Sequence, residues 1–312
     1  MSADKKLPDL INDFLEYLEI EKNCSPLTIR DYRHYLSRFL NWFSPAPQTR
    51  SVKNIDLETV KKYRVFLSRL TYGESQTLSR ATQSYHVIAL RSFLRWLAKN
   101  DYDTLSPEKI ELPKVTSRSL KFLDIEHLER LLNQPDISKI RGLRDKAILE
   151  MLFSTGLRVS ELVKLNREIV NLERREFGVI GKGGRARVVF ISERAADWLD
   201  RYLKKRDDHY KPLFVHFSKK IDVQANEENF RLSVRSIQRI VVKYCAKAKL
   251  PLKITPHGLR HSFATDLLRA GADLRSVQEM LGHKNISTTQ IYTHVTNKQL
   301  KEIHETFHGK SQ

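Results

Sequence analysis

Apolar residues recur every three or four positions through most of the first hundred residues, the period of helices that bury one face. Leu10, Ile11, Phe14, Leu15 and Leu18 make one such stripe within Leu7 to Leu18. Ser25-Pro26 predicts the start of a second helix, because proline suits the first helical position, where its missing N–H costs nothing. Ile29, Tyr32, Leu36, Phe39, Leu40 and Phe43 line that helix, and Pro45 and Pro47 stop it. Asp56 reads as the N-cap of a third helix ending near Leu70. Ser79 reads as the N-cap of a fourth, with a stripe of Tyr85, Ile88, Ala89, Phe93, Trp96 and Leu97. Four helices in this span predict a compact bundle.

Residues 101–121 break the pattern with two prolines and scattered charge, which predicts a joint between domains. The expected division is a helical domain over 1–105, a linker over 106–121 and a second domain over 122–312. Asp124 starts a helix containing Leu128, Leu131 and Leu132, and another is expected from Arg144 to about Ser154. Residues 169–191 change period, with β-branched residues on both sides of Gly181-Lys182-Gly183-Gly184, which predicts strands around a Gly-rich hairpin. Helices return from Ala195, with a loop near 207–231. The fold class expected is mainly α with a small antiparallel β-hairpin. No internal repeat or low-complexity tract interrupts it.

Composition narrows the function classes. The chain has 312 residues, 40% hydrophobic and 29% charged, enough for two packed cores. No apolar run approaches the ~18 residues that span a bilayer, and the first residues lack a signal-peptide core, so a cytoplasmic location is expected and no membrane partner. Cys24 and Cys245 stand far apart, which excludes a disulfide framework. There are 55 Lys and Arg against 37 Asp and Glu, a net charge of +18. The excess is uneven: residues 1–113 hold 17 basic and 14 acidic residues, residues 114–312 hold 38 and 23. A basic later part points to a polyanion, of which nucleic acid is the commonest.

Four clusters in that part could carry chemistry. In TGLRVSEL, Gly156 permits a tight turn before Arg158, and Glu161, three residues on, could hold its guanidinium. In GKGGRARVV, Lys182 sits among glycines. The order strand–turn–strand does not fit a nucleotide-binding P-loop, so no ATP site is expected. In TPHGLRHSFATDLL, His257 and Arg260 are three apart and share a helical face, followed by His261. In LGHKNISTTQIYTH, His283 precedes Tyr292 by nine residues. Each cluster alone is equally a surface ion pair, a solvated turn, a helix-start histidine or a half-buried tyrosine. No H-E-x-x-H or cysteine cluster accompanies them, so no metal and no other cofactor is expected.

Together these six side chains suit attack on a phosphodiester. Its pentacoordinate transition state gathers negative charge on the non-bridging oxygens, and two Arg forks can clamp them. Fixed donors in a partly dry site are worth about 3 kcal/mol each. A phenol with a pKa of ~10 needs a base or a cationic field to attack, which histidine and arginine supply. The leaving alkoxide needs a proton, which lysine can deliver.

The four strings, in that order and spacing, resemble the tyrosine site-specific recombinases, or phage integrase family, over residues 151–296. Residues 7–110 resemble that family's helical core-binding domain. Within the family the chain is most similar to the Xer recombinases, both in its YTHVTNKQLKEIHETFH ending and in starting directly at the bundle, without a preceding arm-binding domain. The resemblance implies a two-domain, C-shaped DNA clamp, with a SAM-like core-binding domain and an α+β catalytic domain. It implies Tyr292 as the nucleophile of a 3′-phosphotyrosyl intermediate and Arg158 and Arg260 as phosphate ligands. Lys182 would be the acid on the leaving 5′-oxygen, His257 the acid/base near the tyrosine, and His283 a hydrogen bond to the phosphate. The implied partner is double-stranded DNA with paired inverted half-sites. A homo- or hetero-tetramer would assemble by exchange of a C-terminal helix over 297–308, with a DNA translocase as activator. The activity implied is Xer-type resolution of chromosome or plasmid dimers. The alternatives are the integrase or transposase of a mobile element, and a non-catalytic DNA-binding protein on the same fold.

Two faces are candidates for groove contacts. Arg235, Gln238 and Arg239 share the polar side of a helix over 233–248, and Arg80, Thr82, Gln83 and Arg91 lie on the fourth helix. Arginine reads guanine edges and glutamine adenine edges in the major groove. Most other basic residues would meet phosphate, which makes binding steeply salt-dependent. After Tyr292, Leu300, Ile303 and Phe307 form an apolar stripe on a helix too short to stand alone.

Overall fold

The computed structural model describes residues 5–43, 51–72, 76–112, 122–181, 184, 186–217 and 226–282. The chain divides into two compact units, Met1–Arg118 and Ser119–Gln312.

The first unit is built from α1 (Leu7–Ile20), α2 (Pro26–Phe43), α3 (Leu57–Arg69) and α4 (Arg80–Lys99). The local signals act as expected. The Asp56 carboxylate accepts from the Thr59 N–H at 2.7 Å, and Ser79 Oγ accepts from the Thr82 N–H at 3.2 Å, each satisfying an orphan donor at a helix start. The whole expected stripe of α1 is buried. A two-strand turn, β1 (Thr71–Tyr72) against β2 (Gln76–Thr77), joins α3 to α4 and was not expected.

Two expectations need correcting. Tyr85 is not in the core: it is 55% exposed and stacks on Tyr35 at the surface. The buried side of α4 also takes in Ser84, His86, Val87, Leu90 and Leu94, because α4 packs against α1, α2 and α3 together and so buries a broad face. Residues 106–112 are not linker. A 3-10 turn over Pro107–Lys109 carries Ile110 into the first core, the Arg91 Nε donates to the Pro107 carbonyl at 2.9 Å, and Arg64 donates to the Glu111 carbonyl.

The second unit starts with α5 (Ile125–Leu132), capped by Asp124, and α6 (Ile140–Thr155). Helix α6 begins four residues ahead of the expected Arg144. It runs through the middle of the unit, in contact with helices on several sides, and buries Arg144, Asp145, Lys146 and Glu150 beside Ile148, Leu149 and Leu152. Each buried charge has a partner. Lys146 Nζ lies 2.9 Å from Glu150 Oε1 and donates to the Leu132 carbonyl at 2.8 Å, while Tyr244 Oη donates to Asp145 Oδ2 at 2.9 Å.

Then follow α7 (Val159–Leu162), the antiparallel pair β3 (Glu176–Ile180) and β4 (Ala186–Phe190), α8 (Glu193–Lys205), α9 (Val234–Lys247), α10 (Pro256–Arg269) and α11 (Leu274–Leu281). The hairpin register runs from Glu176 opposite Phe190 to Ile180 opposite Ala186. Phe177, Val179 and Val189 face the core and Ile180, Val188 and Phe190 face solvent, the alternation of a half-buried pair. Among the described residues no helix is long and apolar enough to cross a membrane.

Candidate active site

The site grows from the end of α6. Gly156 closes that helix in the left-handed region at φ 57°. A side chain there would also collide with Phe263, whose Cδ1 lies 2.4 Å from where a Cβ would sit, so the position requires glycine on both grounds. The turn delivers Arg158 to the N-terminus of α7. Glu161 closes that first turn: its Oε2 accepts from the Arg158 backbone N–H and its Oε1 from Arg158 Nη1, both at 2.9 Å. The expected pairing of Arg158 with Glu161 is therefore present.

A third group, absent from the sequence analysis, completes it. Arg187 on β4 forks onto the same carboxylate, with Nη2 2.8 Å from Oε2 and Nη1 3.1 Å from Oε1. Burial opposes the charged form of Glu161. It is outweighed by the Arg187 hydrogen bonds, the Arg158 N–H and the Arg187 charge, which hold the carboxyl down to about 2. A signal for Arg187 exists in the sequence. Along β4 it alternates with Val189, and in register it faces Val179, so it is an arginine on the core side of the hairpin.

Helix α10, begun by Pro256 at its first position, supplies the next groups. Arg260 is 3% exposed. Its Nη1 donates to the Gly156 carbonyl at 2.6 Å and its Nη2 to the Leu281 carbonyl at 2.5 Å. At the end of α11, three consecutive carbonyls each take a different arginine. Met280 accepts from Arg187 Nε at 3.1 Å, Leu281 from Arg260, and Gly282 from Arg158 Nη2 at 3.1 Å. Carbonyls at a helix C-terminus lack intrahelical donors and sit at the negative end of the helix, so they attract cations. Gly282 turns the chain out of α11 in the left-handed region at φ 64°.

His257 lies on the exposed side of this cluster, one turn before His261, with the two Nε2 atoms 2.9 Å apart and the rings edge to face. Partial desolvation, then the positive charges of Arg260 and Arg158, lower the His257 pKa below its ordinary value. Burial first, then His257 and Arg260, push His261 down to about 4. Both rings are thus neutral at pH 7. The i, i+4 spacing of His257 and His261 is the sequence signal that the two rings meet on one helical face.

The structure brings Arg158, His257 and Arg260 into one site. Lys182, His283, Tyr292 and the expected helix over 297–308 lie outside the described residues. Of the groove candidates, Arg80, Arg235 and Arg239 are exposed and Gln238 is half-buried. Three others have polar atoms engaged within the first unit. The Thr82 hydroxyl lies 2.9 Å from Ser79 Oγ, Gln83 Nε2 donates to the Leu78 carbonyl at 2.7 Å, and Arg91 holds Pro107. Among the described residues no group of three or more His, Cys, Asp or Glu is placed to hold a metal ion.

The segments that build this site have counterparts elsewhere. Residues 121–299 match the profile of the phage integrase family, and residues 11–101 that of the phage integrase N-terminal SAM-like domain. Tyrosine recombinase XerC of Pelotomaculum thermopropionicum is 38% identical over 306 residues, 96% of this chain and 98% of that protein. Tyrosine recombinase XerD of Lacticaseibacillus casei is 37% identical over 302 residues, 96% of this chain and 99% of that protein. Among solved structures, the XerH site-specific recombinase bound to palindromic difH substrate, in a post-cleavage complex, superposes with a TM-score of 0.67 at 26% identity. That match covers 95% of this chain and 83% of XerH.

Proposed function

The chain belongs to the phage integrase family and is a site-specific tyrosine recombinase of Xer type, which cuts and rejoins DNA, and on that premise we propose that its chemistry runs through Arg158, Lys182, His257, Arg260, His283 and Tyr292. Tyr292 Oη attacks the scissile phosphorus and its proton passes to His257. The bond from phosphorus to the 5′-oxygen breaks, and Lys182 protonates that oxygen. Arg158 and Arg260 bind the non-bridging oxygens as charge builds on them, and His283 donates a hydrogen bond to the same phosphate. The 3′-phosphotyrosyl bond conserves the energy of the phosphodiester, so a 5′-hydroxyl of another strand rejoins without ATP.

The observation that carries this reading is the meeting of Arg158 and Arg260 on the neighbouring carbonyls of Gly282 and Leu281. Neutral acceptors orient these guanidinium edges without cancelling their charge. Two cations placed this way supply the fixed field that a phosphoryl transition state needs. Partial desolvation, and after it the charges of the same two arginines, favour neutral His257, as a base must be.

The substrate proposed is duplex DNA with paired inverted half-sites, gripped by the basic excess of residues 114–312 and by Arg80, Arg235 and Arg239 at the grooves. The assembly proposed is a tetramer of identical or paralogous subunits joined through residues 297–308. Its role is the resolution of chromosome or plasmid dimers in the cytoplasm at cell division, with a DNA translocase as activator.

The test is a suicide substrate, nicked beside the cleavage point, on a site first selected by binding. The native chain forms a covalent protein–DNA adduct and Tyr292→Phe forms none. Arg158→Gln or Arg260→Gln slows adduct formation by about 10²–10³-fold. No adduct from the native chain on any site it binds would replace this reading with a binding-only protein.

A further inference from the structure

Arg187 has no place in the six-residue scheme, yet its guanidinium is bonded at every nitrogen. Its side chain is 11% exposed, and all three guanidinium nitrogens donate: Nη1 and Nη2 to Glu161, Nε to the Met280 carbonyl. Arg158 holds the same carboxylate by one side-chain bond only and turns its Nη2 to Gly282. The two arginines thus divide Glu161 unequally. Arg187 has the two-pronged seat, and Arg158 is hinged.

We propose that Arg187 is a positioning residue for Arg158: by occupying the bidentate face of Glu161 and cancelling its charge, it keeps the Arg158 guanidinium aimed and uncompensated for the scissile phosphate. This rests on the reading of Arg158 as a phosphate ligand.

A carboxylate and a guanidinium fit each other fork to fork, and that geometry is the strongest the pair can make. If Arg187 were removed, two acceptor sites on Glu161 would open beside Arg158. Arg158 would rotate its second nitrogen off the Gly282 carbonyl and close the fork on Glu161. Its charge would then be spent on a buried carboxylate instead of a phosphate. The net charge of the group Arg158, Glu161, Arg187 and Arg260 would also fall from two positive to one. Arg187 has a second hold on the site, because it supports the α11 exit. A Cβ on Gly282 would lie 3.1 Å from Arg187 Cδ, so Gly282 at the end of α11 sits directly against this side chain.

The test measures single-turnover adduct formation on the suicide substrate at saturating protein, with DNA affinity measured separately. Arg187→Gln is expected to slow adduct formation by about 30–100-fold while affinity changes by less than about 3-fold. Adding Glu161→Gln to that variant is expected to restore about 10-fold, because the carboxylate that captures Arg158 is gone. A residue that merely props the fold gives the opposite result, with the double variant slower than the single. Arg187→Lys keeps the charge but not the fork, and serves if Arg187→Gln melts below the assay temperature. It is expected to lose about 10-fold, recovered in part by Glu161→Gln. Adduct formation by Arg187→Gln within about 3-fold of the native rate, or no recovery in the double variant, overturns the inference and leaves the catalytic reading standing. Absence of a Tyr292-dependent adduct from the native chain overturns both.

Discussion

His257 and His261 stand one turn apart on α10 with their Nε2 atoms 2.9 Å apart. Two neutral imidazoles at that distance share one proton, so one Nε2 donates and the other accepts. Burial disfavours the charged form of both rings first, and the Arg260 charge adds to it, which is why both pKa values fall. Replacing Arg260 by glutamine removes that charge, and the His257 pKa should rise toward its ordinary value. Titration of the ring Cε1–H signals by NMR checks this. An unmoved His257 in Arg260→Gln would mean that its neutrality owes nothing to the phosphate-binding arginine.

Gly156→Ala should destabilise the second unit by about 2–4 kcal/mol, combining a left-handed backbone with a Cβ driven into the Phe263 ring. It also displaces the carbonyl that orients Arg260. Urea unfolding should report the lost stability, and adduct formation should fall even at temperatures where the variant is folded.

In the first unit His86 is buried, with Arg38 Nη1 and Tyr63 Oη each 3.3 Å from a ring nitrogen. Arg38 can only donate, so Nε2 accepts and Nδ1–H donates to Tyr63. Burial, then the Arg38 charge, lower the His86 pKa to about 4. The unfolded chain therefore takes up the proton first as pH falls. Stability is full above about pH 6.5 and declines by about 1.4 kcal/mol per pH unit toward pH 4. Unfolding followed by Trp42 and Trp96 in a Trp198→Phe background at pH 7.5 and 5.0 checks the slope. His86→Leu should be less stable at pH 7.5 and lose less on acidification.

Lys146→Met should cost about 3–5 kcal/mol, because it leaves Glu150 and the Leu132 carbonyl short of a buried donor. Adding Glu150→Gln should cost less than the sum of the two single changes, since the pair fails as a unit. Additive losses in urea unfolding would show that the Arg194 bond to Glu150 already suffices.

The helix starts at Pro26, Asp56, Ser79 and Asp124 were legible because a cap or a proline acts within four residues of itself. Helix α6 was misplaced for the opposite reason. Buried on all sides, it has no apolar stripe to read, and its Arg144, Asp145, Lys146 and Glu150 look like surface charges until their partners are known. The Tyr85 error has the same origin: how broad a face α4 buries depends on the other helices packed around it.

By itself the sequence determined the local elements, the basic excess of the later part and the four ordered strings of the family, all of them properties of neighbouring residues. Only the tertiary structure decided that Arg187 would share Glu161 with Arg158, and that three arginines would end on consecutive carbonyls of α11. Those bonds join residues 21 to 124 positions apart. They exist because α6, α10, α11 and β4 pack together, and no local propensity encodes that meeting.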